Sequence, residues 1–144
     1  MSASSASSSP SYAAPNLRTL TYLPPNSIPT SLTVQLFTDR VLVSVNQLGK
    51  IGSVLAANVD VSPANNKKTY NVEIMMGRRD DPLLEIYARQ LIEKCCVMDA
   101  QIMRPLMLTI SLKEEGRDTE SFQAVLNKLL EMISEVIEAS LKNA

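Results

Sequence analysis

Residues 41–46 alternate strictly between two kinds of side chain. Val41, Val43 and Val45 fall on one side and Leu42, Ser44 and Asn46 on the other, the period of two that marks a half-buried strand. β-Branched residues suit such a surface. Gly49 and Gly52 follow at once and flank Lys50-Ile51. Glycine permits a tight bend, so the chain is expected to turn here and return through a strand over 53–59. The expected unit is a hairpin with a Gly-Lys-Ile-Gly corner.

The same period recurs on either side. Residues 17–23 read as a short edge strand, after which Pro24, Pro25 and Pro29 interrupt any ladder. Residues 31–38 read as a strand with Leu32, Val34 and Leu36 inward, joined to 41–46 by the polar pair Asp39-Arg40. Residues 60–71 carry Pro63, Asn65-Asn66 and Lys67-Lys68 and read as an exposed, mobile polar loop. Residues 71–77 are expected to form a strand with Val72, Ile74 and Met76 on one face, and 106–112 another with Leu106, Leu108, Ile110 and Leu112 inward.

Two stretches change period. Asp81 is a good N-cap, and Pro82 stands at the first helical position, where no N–H is missed. Leu83, Leu84, Tyr87, Ala88, Leu91, Ile92 and Cys95 then recur at helical spacing to about residue 96. After the charged turn 113–117, Asp118 opens a final helix to about residue 142. Phe122, Val125, Leu126, Leu129, Ile133, Val136 and Ile137 form its stripe, widened by Leu130, Met132 and Leu141. The order predicts an α+β fold: a largely antiparallel sheet of five to six strands, two helices on one face, and a dimerising domain.

Residues 1–15 contain seven serines, four alanines and two prolines and are expected to be a disordered tail. Residues 16–144 are expected to form one domain. Net charge is −1, from 14 basic and 15 acidic side chains, so no field suits nucleic acid or an anionic membrane. Aromatic residues are scarce and tryptophan is absent, which also disfavours base stacking. No apolar run reaches membrane-spanning length. The adjacent Cys95 and Cys96 cannot bridge without strain, which fits a reducing compartment and a cytoplasmic or nuclear location.

Little catalytic chemistry is on offer. No histidine occurs, which removes imidazole as base, acid or metal ligand. Gly49-Lys50-Ile51-Gly52-Ser53 has a superficial likeness to a phosphate loop, but it lacks the Walker spacing and precedes a strand. Cys95 lies on the apolar stripe as a small hydrophobe, while Cys96 is expected to be more exposed but has no histidine to activate it. Arg78, Arg79, Asp80 and Asp81 read as solvated caps. Lys67 and Lys68 form an exposed contact loop too small for nucleic acid, able at most to meet an acidic protein surface.

The strand positions out of phase with the core are not those of a solvated face. They hold Thr33, Gln35, Phe37, Leu42, Ser44, Glu73, Met75, Met107, Thr109 and Ser111, where water would favour Lys and Glu. A face of this kind suits a partner, with Phe37, Leu42, Met75 and Met107 as its candidate interface residues.

The run Asn46-Gln47-Leu48-Gly49-Lys50-Ile51-Gly52-Ser53 after a valine-rich strand resembles the signature of the proteasome assembly chaperone 3 family, with Gln47, Gly49, Lys50 and Gly52 as the signature turn. Asp81-Pro82-Leu83-Leu84 opening a helix, the strand at 106–112 and the closing helix fit the same family over about residues 28–140. The resemblance implies a cofactor-free, non-enzymatic chaperone of the 20S proteasome. It implies a heterodimer with a proteasome assembly chaperone 4-like subunit, or a homodimer, that supports α-ring assembly on 20S α-subunits and leaves before the particle matures. The Ser/Ala-rich N-terminus and the long final helix depart from the animal members. A regulatory interaction domain of the longin or roadblock kind is the alternative. Because residues 1–15 lack core-forming side chains, their deletion should leave the melting temperature and partner binding unchanged, measured by calorimetry and by titration with the partner.

Overall fold

The computed structural model describes residues 16–50, 52–77, 79–98, 104–114 and 117–142. The expectation for the 1–15 tail lies outside these residues, as do Ile51, Arg78, Glu115 and Gly116. Six strands and two helices follow in the order β1 (Leu17–Tyr22), β2 (Thr30–Leu36), β3 (Val41–Asn46), β4 (Ser53–Val61), β5 (Lys68–Met76), α1 (Pro82–Met98), β6 (Leu106–Ser111) and α2 (Thr119–Lys142). They make one sheet in the order β1-β2-β3-β6-β4-β5. Every pairing is antiparallel except β3 with β6.

The expected hairpin between 41–46 and 53–59 does not form. β6 lies between β3 and β4, with Val41 opposite Leu106 on one side and Leu55 opposite Leu108 on the other. Leu106, Leu108 and Ile110 make β6 a strongly apolar strand, and the centre of the sheet gives it the deepest burial. After β3 the chain therefore crosses the end of β6, where Gly52 lies over Ile110 and Ser111. The polar loop expected over 60–71 is also shorter. Asp60 pairs with Thr69 and Val61 with Lys68, so only 62–67 turn, and the side chains of Asn58, Asp60 and Asn71 hydrogen-bond across the hairpin.

The alternating valines and leucines of β2, β3, β4 and β6 bury their core side under both helices, α1 over β4, β5 and β6 and α2 over β1 and β2. Tyr87 of α1 meets Phe122 of α2 edge to face, with ring centroids 4.4 Å apart. Cys96 is buried beside Cys95, contrary to expectation, because α1 packs against β4, β5 and β6 as well as α2 and so buries a wide stripe. Asp118 caps α2, accepting from Ser121 N and Asn26 Nδ2, each at 3.0 Å, and Ser121 Oγ accepts from Asn26 N at 3.1 Å. The Pro-rich β1–β2 link is thereby pinned to the start of α2.

One phase differs. A bulge in β5 opposite Val54 and Leu55 leaves Met75 as the extra residue, and Met76 pairs with Val54 instead of following Ile74 to the core side. Met76 is 54% exposed.

Leu129 and Ile133 lie mid-stripe on α2 and are fully buried. Ile133→Ala or Leu129→Ala should cost about 2–5 kcal/mol in chemical denaturation. Ile86→Ala, on the outer side of α1 at 46% exposure, should stay within about 0.5 kcal/mol. Equal losses at the two kinds of position would place α2 wrongly in the core.

Candidate functional site

The signature turn is built from two side chains. Asn46 Oδ1 accepts from the backbone N–H groups of Leu48 at 3.1 Å and Gly49 at 2.7 Å, and from Ser111 Oγ at 3.0 Å. This closes the turn onto Gly49, whose φ of 77° lies in the left-handed region that glycine adopts freely. Gln47 is buried and satisfied at both ends of its amide: Nε2 donates to Thr30 Oγ1 at 3.1 Å, and Oε1 accepts from Lys113 N at 2.9 Å. It joins the start of β2 to the chain leaving β6. Gly52 passes so close over β6 that a Cβ there would sit 2.9 Å from the carbonyl oxygen of Ile110.

These bonds explain the motif as scaffold. The amides of Leu48 and Gly49, which a phosphate would need, are already bonded to Asn46. Lys50 is exposed at the tip. Asn46 and Gln47 hold three chain segments together, and Gly49 and Gly52 allow the chain to turn and cross between them.

A cleft of about 310 Å³ lies beside this corner, lined among others by Leu48, Ser53, Leu84, Asp81 and Arg117. Its charges are matched internally. Arg117 donates to both oxygens of the buried Asp81, at 2.9 and 2.6 Å, and these bonds hold the guanidinium firmly protonated. Glu114 approaches Nε of Arg117 at 3.3 Å from the surface. Burial, then the neighbouring Cys96, pushes the Cys95 thiol up to about 12, and burial also raises Cys96. Both are protonated at neutral pH, so neither is a ready nucleophile. Among the described residues no group of three or more potential metal ligands converges. No described helix is long and apolar enough to cross a membrane.

The sheet face opposite the helices is a more coherent surface. The strand register sets its side chains in rows. One row runs Leu17, Gln35, Leu42, Met107, Ala56, Glu73. The next runs Thr19, Thr33, Ser44, Thr109, Val54, Met76, with Thr19 and Thr33 sharing a 3.2 Å hydrogen bond. A third runs Thr21, Ser31, Asn46, Ser111, the last closed over by the Gly52 crossing. The side chains are short and almost all uncharged.

Of the four residues expected at an interface, three converge. Leu42 and Met107 are register partners, and with Phe37, Asp39 and Arg40 they line a depression of about 370 Å³ at one end of the rows. Phe37 stands beside it at 39% exposure, its carbonyl held by Arg104 at 2.9 Å. Met75 lies apart, in the bulge of the edge strand β5. Lys67 sits in the β4–β5 turn and Lys68 begins β5 in phase with the helix-side residues Tyr70 and Val72, so neither joins the rows. Sequence reading passed over Val54, Ala56 and Met76. The first two sit in a short apolar run with no clear alternation, and the third changes face through a bulge that has no sequence marker.

Known proteins share this architecture. A chain from the crystal structure of a chaperone complex for yeast 20S proteasome assembly matches with a TM-score of 0.58 at 16% identity, over 84% of this chain and 96% of that one, which shows a common fold. Proteasome assembly chaperone 3 from Bos taurus is 26% identical over 92 residues, covering 63% of this chain and 73% of the bovine protein. The Homo sapiens protein of the same name is 24% identical over the same shares. The family model for proteasome assembly chaperone 3 matches residues 43–136, from the middle of β3 to the last turns of α2, and the chain belongs to that family.

Proposed function

We propose that this chaperone works by pairing the open face of its sheet with the sheet of a similar subunit. That subunit is a proteasome assembly chaperone 4-like protein or a second copy. The pair holds 20S α-subunits during α-ring formation and leaves before the particle matures. Membership of the family implies a role in proteasome assembly without catalysis, and it replaces the longin- or roadblock-like alternative.

The observation that carries the pairing is the face itself. A sheet with both helices on one side leaves a broad, sparsely charged surface in water, where Thr, Ser, Leu and Met stand at most of the positions expected to hold Lys and Glu. Six strands at about 4.8 Å spacing and about 20 Å length project to roughly 550 Å². Side-chain relief raises the accessible area toward the ~800 Å² per partner of a stable interface. Short side chains in the middle row let a second sheet approach to about 10 Å, and the Phe37–Leu42–Met107 depression offers an anchor at one end.

No nucleotide enters this mechanism. Binding energy alone retains one α-subunit, favours its proper neighbour and clashes with later arrivals. The two buried free thiols suit action in the reducing cytoplasm, and in the nucleus.

Met107→Lys places a charge in the row beside Leu42 without touching the helix-side core. The variant should keep its far-UV spectrum and melting behaviour, sediment as a monomer, and lose about tenfold or more in binding to its partner and in capture of α-subunits. Met75→Lys, in the bulge, should have a smaller effect. Undiminished pairing of Met107→Lys would assign the open face another role.

A further inference from the structure

Two carboxylates stand on the open face: Asp60, toward the tip of the β4–β5 hairpin and held by Asn71 Nδ2 at 2.6 Å, and Glu73, the one charged side chain in the rows that cross the sheet. Glu73 stands opposite Ala56, in line with Met107 and Leu42, while its neighbours Val72 and Ile74 turn to the helix side. Glu73 is exposed, and none of the ion pairs among the described residues involves it. On the reading just given, a second sheet covers this row. A carboxylate carried under a partner loses water and must find a cation or a donor there.

A second copy of the chain does not supply one. A closed two-fold pair stacked face to face has its axis parallel to the sheets. With the axis along the strands, β5 lies over the other copy's β1, whose open-face positions are leucine and threonine. With the axis across the strands, β5 lies over the other copy's β5, and Glu73 faces methionine or another carboxylate. Arg40 and Arg104, at the end of the rows beside Leu42 and Met107, lie away from the β5 edge. Arg40 is committed to Asp39 at 3.1 Å, and Arg104 to the carbonyl of Phe37.

We infer that Glu73 is a specificity-determining residue of the interface: it disfavours self-pairing and selects a similarly folded subunit that presents a lysine or arginine opposite it. The inference rests on the open face being the docking surface. It assigns the chain a sparsely charged face that is permissive toward any like sheet, and in Glu73 an edge carboxylate that discriminates.

The test measures two dissociation constants by sedimentation, for self-association and for pairing with the purified chaperone 4-like subunit, in wild type and in Glu73→Gln. The substitution keeps shape and lies on the surface, so the fold is unaffected. Self-association should tighten by about fivefold or more, pairing with the other subunit should weaken by a similar factor, and the mixed pair should lose part of its salt dependence. Constants that stay within about twofold, or that move in the same direction, overturn the assignment. Met107→Lys, run alongside, separates the two layers of the reading. If it abolishes both associations while Glu73→Gln moves neither, the face is the interface and Glu73 has no selective role. If Met107→Lys leaves both associations intact, the docking surface itself is misplaced and the assignment of Glu73 falls with it.

Discussion

The parallel ladder between β3 and β6 determines the arrangement of every other element. A parallel pair cannot be closed by a tight turn, so the chain must travel away from Asn46 and return at Leu106 through a long crossover. It first passes over the end of β6, where only glycine fits at position 52. It then lays down the β4–β5 hairpin on the far side of β6 and comes back through α1 across one face. α2 covers the β1–β2 half of that same face, locked to it by the Asn26–Asp118–Ser121 bonds. With both helices committed to one side, the other side of the sheet is left without cover from the described chain.

The two faces are then products of one alternating pattern with two chemistries. Val41, Val43, Val45, Leu106, Leu108 and Ile110 contribute to the core under the helices. The residues between them, Leu42, Ser44, Met107 and Thr109, are neither apolar enough for a core nor charged enough for water. That intermediate character is what an interface of separately folded subunits requires, since each must survive alone before pairing. Among the buried polar side chains, Gln47, Thr30 and Asp81 are hydrogen-bonded at the corner beside the open face, which ties that corner together.

Element type was legible from the sequence almost throughout, because the period changes sharply at Asp81-Pro82 and again at Asp118. Helix-side burial followed from the same alternation. Topology was less legible. Nothing local in 47–52 distinguishes a hairpin corner from a crossing over a neighbouring strand; the difference depends on β6, more than fifty residues later. The end of the β4–β5 hairpin reads as a loop because its strand residues at 58, 60 and 71 are Asn, Asp and Asn, which favour turns in isolation and are held here by cross-strand bonds. The bulge at Met75 moved Met76 to the open face and separated Met75 from Leu42 and Met107. The depression beside Phe37 brings together residues 37 to 42 and 107, a proximity created only by the parallel ladder.

The central claim is that the uncovered face of the sheet, and not the outer surface of the helices, meets the partner subunit. Hydroxyl-radical footprinting of the chain alone and in its paired form reads this directly, residue by residue. The account predicts strong protection of Met107 and Leu42 on pairing, with Ile86 on the outer side of α1 oxidised at an unchanged rate. Protection of Ile86 with Met107 left as reactive as in the free chain would contradict it.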